Sequence, residues 1–344
     1  MAALQLTMGS TGEPRLVGLS HFQLLGGARA VNHAFGIQQS DRVAVALPLF
    51  RGPLLSLLCL SPFLTHCQIV FPDAQPVPSS LFSCISVQSC SVLLSNGAAL
   101  RLLLKTCQMH RARLASLLKV LLIGERVPNE LQLSIQKHAN RVQIIAVGYL
   151  LTETGSVPIM GDQTCNLTRN VGKPIAGYSA RLSSIAGSTQ LGELLISPFQ
   201  QSTFLGYAPD FTQSNEWIRT GDVAELDAAG NFCIVSHISD LIYDKSGHIF
   251  NHRAVEKVLA LSPHLKGVQV ICAGKGDPVV AVCVVRRTKE DPDYLKGELV
   301  LHCRNTSLPI PDKFCFLEDF PRTNTRIQKY KLREWLKAGK LQCV

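Results

Sequence analysis

Short apolar runs alternate with longer amphipathic segments through the first half of this chain, and no other feature limits its fold as tightly. The runs are Arg42–Leu47, Gln68–Phe71, Ser91–Ser95, Val120–Ile123 and Val142–Val147. They are apolar on successive residues, not on every second one, as strands buried on both faces are. The segments Ser20–Phe35, Pro53–Leu60, Ser79–Val87, Ala98–Cys107 and Pro128–Asn140 read as helices between them. Strands alternating with helices predict an α/β fold with a mostly parallel sheet covered on both faces. Ligands of such sheets gather beyond the carboxyl ends of the strands.

After about Gly161 the texture changes to shorter strands and turns, at Ala180–Ser183, Glu193–Ser197, Asp222–Asp227 and Asn231–Val235. The tetrapeptide Ala228–Asn231 reads as the hairpin turn between the last two. From about Asp240 a third texture follows. It has a helix at His252–Leu261, strands at Gly267–Cys272 and Val279–Val285, a helix near Tyr294–Cys303, a strand at Lys313–Leu317 and a basic terminal helix. At 344 residues with 46% hydrophobic content the chain has room for two cores. We place the domains at 1–239, a large α/β part with a small β subdomain, and 240–344, a small α+β part.

The net charge of +9 suits anionic partners such as nucleotides, coenzyme A, nucleic acid or an acidic membrane surface. The apolar stretch Leu47–Phe71 is broken by Arg51, Pro53, Pro62 and His66, so no transmembrane segment is predicted. Twelve cysteines without a C-x-x-C pair read as mostly buried free thiols in a reducing compartment. Cys233, His237, His248 and His252 include a zinc-like spacing that competes with this bland reading. The tail from Arg322 to Lys340 is basic but poor in aromatics, and carries no recognisable nucleic-acid module.

Near the start, Thr7-Met8-Gly9-Ser10-Thr11-Gly12-Glu13-Pro14-Arg15 follows an expected strand at Ala2–Thr7. Glycines that expose backbone N–H groups, together with hydroxyl donors, are how loops cradle phosphate. The spacing is not that of G-x-x-x-x-G-K-[ST]. Three further motifs follow in order: Gly148-Tyr149-Leu150-Leu151-Thr152-Glu153-Thr154, Trp217-Ile218-Arg219-Thr220-Gly221-Asp222, and the tail Pro321–Glu334. An aromatic ring can stack on a base, a carboxylate beside a hydroxyl can hold Mg²⁺, and a carboxylate on a tight turn suits the paired hydroxyls of a ribose.

In this order the four motifs resemble those of the adenylate-forming superfamily: T-S-G-T-T-G-x-P-K-G, Y-G-x-T-E, T-G-D and P-x-T-x-x-G-K-I. Asn170–Ile175, Gly192–Ile196 and Leu205-Gly206-Tyr207 support the match. Within the superfamily the chain is most similar to the medium-chain fatty acyl-CoA synthetases. The resemblance implies an adenylation domain followed by a C-terminal lid, and a reaction in which fatty acid, ATP and coenzyme A give acyl-CoA, AMP and pyrophosphate, with Mg²⁺ on the nucleotide. It implies that Thr7, Gly9, Ser10, Thr11 and Gly12 contact the phosphates, and that Tyr149 stacks on adenine in a pocket lined by Gly124, Glu125 and Arg126. It further implies that Thr152 meets the α-phosphate, that Glu153 holds Mg²⁺, that Asp222 binds the ribose, and that the acyl chain lies near Leu47–Leu57 and Gly148–Leu151. Relatives of this kind are commonly mitochondrial. No targeting peptide is visible, and a cytoplasmic setting is the alternative.

The chain also departs from the pattern. Arg15 and Leu16 stand for Lys and Gly, and Leu150 for the Gly of Y-G-x-T-E, where its side chain would press toward the base or acyl site. Phe50-Arg51 replaces an aromatic–His pair, and Ser236–Asp240 replaces the hinge G-R-x-K-D, with His237 at the arginine that reaches the nucleotide. Lys245-Ser246 stands for the glycine pair that follows. Arg326 alone stands where Gly-Lys precedes Ile, so the catalytic lysine's place in the lid is taken by an arginine one residue short. The segment that precedes the phosphate loop in the family is absent, which implies an incomplete large domain with an open edge. Two readings follow: a ligase whose adenylation step is impaired, and a non-catalytic relative that binds nucleotide or acyl-CoA or serves as an interaction protein.

Overall fold

The computed structural model describes residues 1–7, 15–47, 54, 60–72, 78–198, 205–211, 217–243, 247–250, 252–274, 276–286, 291–323 and 326–344. They divide into two units. The first is built from most of the chain up to Val235, the second from Ser236–Val344 together with Ser184–Thr189. The expected domain boundary lay a few residues further on, after 239.

The first unit opens with two antiparallel strands, β1 (Ala3–Leu6) and β2 (Leu16–Leu19), and helix α1 (His21–Phe35). The strand expected at Ala2–Thr7 is therefore one member of an antiparallel pair. Then come β3 (Arg42–Ala46), α2 (Ser61–Thr65), β4 (Gln68–Val70), α3 (Pro78–Val87), β5 (Val92–Ser95), α4 (Gly97–Met109), β6 (Lys119–Ile123), α5 (Asn129–His138), β7 (Ile144–Leu151), β8 (Ser156–Asp162) and β9 (Lys173–Pro174). Of the helix expected at Pro53–Leu60, only Leu54 and Leu60 are among the described residues.

The main sheet runs β4-β3-β5-β6-β7-β8-β9. Its first five strands are parallel, and β8 and β9 are antiparallel additions. Strand periodicity explains the unbroken apolar runs. Ala44, Leu93, Val120, Leu122, Ile145 and Val147 pack toward α3, α4 and α5 on one face. Val43, Val45, Leu94, Leu121, Ile123 and Ala146 pack toward α1 on the other. A second sheet, β10 (Tyr178–Ser184), β11 (Gly192–Pro198), β12 (Ile218–Leu226) and β13 (Phe232–His237), forms the small β part. Asp227 accepts from the N–H groups of Ala229 and Asn231 and from the Asn231 amide, and so organises the expected hairpin turn.

In the second unit, α6 (His252–Leu259), β14 (Leu265–Cys272), β15 (Val279–Val285), α7 (Pro292–Asn305) and β16 (Lys313–Leu317) build a three-stranded sheet, β14-β15-β16. The two-residue strands β17 (Arg322–Thr323) and β18 (Arg326–Ile327) and helix α8 (Lys329–Lys337) follow. Alternate β15 residues again divide the core. Val279, Ala281 and Cys283 face the cluster with Val255, Leu259 and Leu299, while Val280, Val282 and Val284 face that with Leu332.

One cysteine pair departs from the free-thiol expectation. Cys315 and Cys343 form a disulfide, with their Cα atoms 4.1 Å apart. Their neighbours Phe314 and Val344 exchange backbone hydrogen bonds of 3.1 and 2.9 Å, which brings two residues remote in sequence into register. The zinc-like spacing gathers no site. Among the described residues no group of three or more His, Cys, Asp or Glu side chains is placed to hold a metal ion. No helix among them is long and apolar enough to cross a membrane.

Candidate nucleotide site

The carboxyl end of β7 delivers the second motif. Tyr149 and Leu150 point to opposite faces, as neighbours on a strand must. Tyr149 packs against the cluster of Leu19, Leu24 and Ile159. Leu150 packs against that of Val31, Val45 and Ile123, so its side chain joins the core beneath α1. Thr152–Thr154 then forms a single 3₁₀ turn, ended by Gly155 at φ +63°. The turn buries Glu153 at 8% exposure and leaves Thr152 half-buried.

Helix α1 holds this turn in place. Ser20 and Gln23 form a capping box: the Gln23 N–H donates to Ser20 Oγ at 3.1 Å, and the Ser20 N–H to Gln23 Oε1 at 3.0 Å. The amide Nε2 of Gln23, itself buried, donates to the Glu153 carbonyl at 3.1 Å. Ser20→Ala removes one cap acceptor, and we expect a loss of about 1 kcal/mol in urea unfolding.

Two tyrosine–carboxylate pairs follow. The Tyr149 hydroxyl donates to Asp222 Oδ2 at 2.5 Å. Burial, and after it the Asp222 charge, push the Tyr149 phenol well above its ordinary range, so it stays protonated and donating. Asp222 lies on β12 where the register with β11 shifts between Glu193 and Leu195. The Asp222 N–H donates to Thr220 Oγ1 at 3.0 Å, whose hydroxyl donates to the Leu194 carbonyl at 2.8 Å. The buried Glu193 accepts from the Gly221 N–H and pairs with Arg219. The third motif is thus a bulge built to aim a carboxylate.

In the second pair the Tyr207 hydroxyl donates to Glu153 Oε1 at 2.7 Å. Burial, followed by the Glu153 charge, raises the Tyr207 phenol too. Tyr207 reaches this position because residues 206–208 run beside β2. Gly18 donates to the Gly206 carbonyl at 3.1 Å and Ala208 to the Leu16 carbonyl at 2.9 Å. Arg15 lies over the Tyr207 ring, 3.9 Å from its centroid, and its Nη2 donates to the hydroxyl at 3.3 Å. The Arg15 N–H donates to Thr7 Oγ1 at 3.1 Å, closing the base of the loop.

Of the residues expected in the site, Thr7, Tyr149, Thr152, Glu153 and Asp222 belong to this first unit. Gly9, Ser10, Thr11 and Gly12, like Phe50-Arg51 and Lys245-Ser246, lie outside the described residues. Gly124, at φ +86°, turns Glu125 toward α4. There its carboxylate pairs with Arg101 at 2.9 Å, against the bare Cα of Gly97. Arg126 donates to the Ile234 carbonyl. Among the described residues the Glu125 carboxylate hydrogen-bonds Arg101 and the Tyr149 hydroxyl Asp222, with no hydrogen bond between the two.

His237 lies in the second unit, where its Nδ1 accepts from the Ser239 N–H at 3.2 Å and caps a 3₁₀ turn. That turn ends at Asp240, which Arg333 pairs with at 2.7 Å. Arg326 is in β18, in register with Thr323 of β17. Sequence reasoning missed Tyr207 and Gln23 as site residues, although Leu205-Gly206-Tyr207 had matched the family pattern. A cavity of about 350 Å³, lined by Phe35, Ile144, Met160 and Lys173 among others, sits at the opposite end of β7 and shares no residue with either pair.

The donor set suits Mg²⁺. Glu153 Oε2 has no hydrogen-bond partner among the described residues, and the half-buried Thr152 precedes it in the same 3₁₀ turn. Mg²⁺ takes one or two protein oxygens and fills its remaining positions with water and phosphate.

The architecture is that of adenylate-forming enzymes. O-succinylbenzoate coenzyme A synthetase from Bacillus subtilis, solved with ATP and magnesium ion, superposes with a TM-score of 0.75 at 24% identity, over 97% of this chain and 69% of that one. The chain belongs to the AMP-binding enzyme family, whose profile matches residues 1–208. Among curated relatives, the mitochondrial medium-chain acyl-CoA ligase ACSF2 of Bos taurus is 25% identical over 358 residues, 96% of this chain and 57% of the relative. A 3-hydroxybenzoate–CoA ligase of Aromatoleum is 24% identical over 350 residues, 97% of this chain and 66% of the relative. The chain thus spans roughly three-fifths of the length of the curated relatives it matches.

Proposed function

We propose that this chain binds Mg·ATP and acts as an acyl-CoA ligase, joining a fatty acid to AMP and then to coenzyme A. The observation that carries the reading is the pairing of Tyr149 with Asp222 and of Tyr207 with Glu153, which orders two carboxylates and an aromatic ring in one unit. In this reading Tyr149 offers its ring to adenine while its hydroxyl fixes Asp222 for the ribose. Glu153 holds Mg²⁺ through its second oxygen, and Thr152 donates to the α-phosphate. Thr7, Gly9, Ser10, Thr11 and Gly12 surround the other phosphates. Gly124 and Glu125 border the base less directly, since Glu125 is paired with Arg101. For His237 and Arg326 the reading rests on the motif resemblance alone. Bound Mg²⁺ would neutralise phosphate charge; every other contribution comes from side chains and backbone of this chain.

The bovine relative's name supports a medium-chain substrate and a mitochondrial setting, while the Aromatoleum enzyme keeps aromatic acids in view. Adenylation is the weaker half-reaction, because Arg326 stands for the lysine that offsets charge between carboxylate and α-phosphate. Replacing Arg326 by Gly-Lys is expected to raise fatty-acid-dependent ATP–pyrophosphate exchange about 100-fold. Unchanged exchange in a protein that still binds ATP would refute the lid explanation and favour a non-catalytic nucleotide binder. Absence of ATP binding in calorimetry would remove the nucleotide reading altogether.

A further inference from the structure

Arg15, Tyr207 and Glu153 form a directed chain of hydrogen bonds. Arg15 Nη2 donates to the Tyr207 oxygen at 3.3 Å, and Tyr207 in turn donates to Glu153 Oε1 at 2.7 Å. The three residues come from β2's leading edge, the 3₁₀ turn after β7, and the segment 205–211 that runs beside β2. A cation over the ring and a donor into the phenol oxygen polarise the O–H toward the carboxylate, since hydrogen bonds in series strengthen one another. The arrangement spends one carboxylate oxygen on tyrosine and leaves the other for a hard cation. Groups that hydrogen-bond the far side of a ligating carboxylate fix its orientation, and removing them typically weakens metal affinity about 10- to 100-fold.

We propose that Tyr207 is a positioning residue for the metal-holding carboxylate, and that Arg15 serves it by stacking on the ring and donating to the hydroxyl. The proposal rests on the nucleotide reading above. It assigns Arg15 to the tyrosine, whereas the family pattern has a lysine at this place in the phosphate loop. It also makes the Gly206-Tyr207 segment part of the site through hydrogen bonding to Glu153, with no contact to nucleotide required.

The test is ATP binding by calorimetry at a series of Mg²⁺ concentrations, together with binding in chelator, on the full chain. Tyr207→Phe keeps the ring under Arg15 and removes only the hydroxyl. The Mg²⁺ concentration giving half-maximal enhancement of ATP binding should rise about 10-fold in Tyr207→Phe, while ATP affinity in chelator stays within about twofold. In a Glu153→Gln background the same substitution should shift nothing further, because its effect passes through Glu153.

A wild-type chain that responds to Mg²⁺ while Tyr207→Phe responds identically overturns the positioning role alone. So does a shift that persists at full size in the Glu153→Gln background. A wild-type chain whose ATP affinity ignores Mg²⁺ overturns the nucleotide reading, and the positioning role with it.

Discussion

Glu153→Gln is expected to weaken Mg²⁺-dependent ATP binding by about 100-fold or more, while ATP binding in chelator changes little. Glutamine keeps the shape of the side chain and an oxygen that can still accept from Tyr207, so the 3₁₀ turn and the Gln23 contact to its carbonyl are retained. What is lost is the negative charge of a group only 8% exposed. A hard cation next to phosphate gains most of its protein affinity from such a charge. Removing one preorganised charged group from a site of this kind costs about 10²–10³ in rate, or about 3–4 kcal/mol. Comparing binding with Mg²⁺ and with chelator separates the metal's contribution from that of the base and ribose. Asp222 and Tyr149 are unaltered in this variant, so their share of the affinity should persist. An equal loss under both conditions would mean that Glu153 acts through the fold, and that Mg²⁺ is held elsewhere.

The parts of this site that were legible in the sequence are those whose chemistry is local. Gly148–Thr154 reads as a segment directly after the buried strand Val142–Val147, and the structure carries that strand on through Leu151 before turning at Thr152–Thr154. Thr220-Gly221-Asp222 reads as a tight turn carrying a carboxylate, whereas the structure has these residues inside β12, at a bulge against β11. The main sheet was legible for the same reason, since each β strand's apolar run reports its own burial on both faces. Partnerships across the fold were not legible. Arg15 and Tyr207 are 192 residues apart, and nothing local to either tells that a ring will lie under a guanidinium. Glu125 looked free to line a base pocket because the Arg101 that holds it is on α4, 24 residues earlier. Leu150 looked like an intrusion on the site, because the one fact that sends it into the core is which face of β7 meets α1. The disulfide was hidden likewise, by a backbone bridge that only the folded second unit makes.

Lys119→Met should destabilise the first unit by about 3–5 kcal/mol near neutral pH, measured by guanidinium unfolding. Lys119 and Asp41 form an ion pair of 2.9 Å whose side chains are 12% and 7% exposed. They join three elements at the amino-terminal edge of the main sheet. Lys119, the first residue of β6, also donates to the Gly36 carbonyl that follows α1. Asp41 accepts from the Gln38 N–H at 2.9 Å and from the Ser91 hydroxyl, which precedes β5, at 2.7 Å. Removing the lysine leaves a buried carboxylate with two neutral donors and no cation, and the stranded charge carries most of the cost. Changing both partners should cost less than Lys119→Met alone, because a buried pair replaced as a whole strands nothing. The pH dependence follows from the same contacts. Burial alone would raise the Asp41 carboxyl, but the Gln38 N–H, the Ser91 hydroxyl and Lys119 together hold it below its ordinary 3.8. A depressed carboxyl stabilises the fold above the unfolded value, and loses that contribution as pH falls through the folded one. Asp41→Asn should therefore flatten the acid limb of the stability curve below about pH 4. An acid limb as steep as the wild type's would assign that limb to other carboxylates.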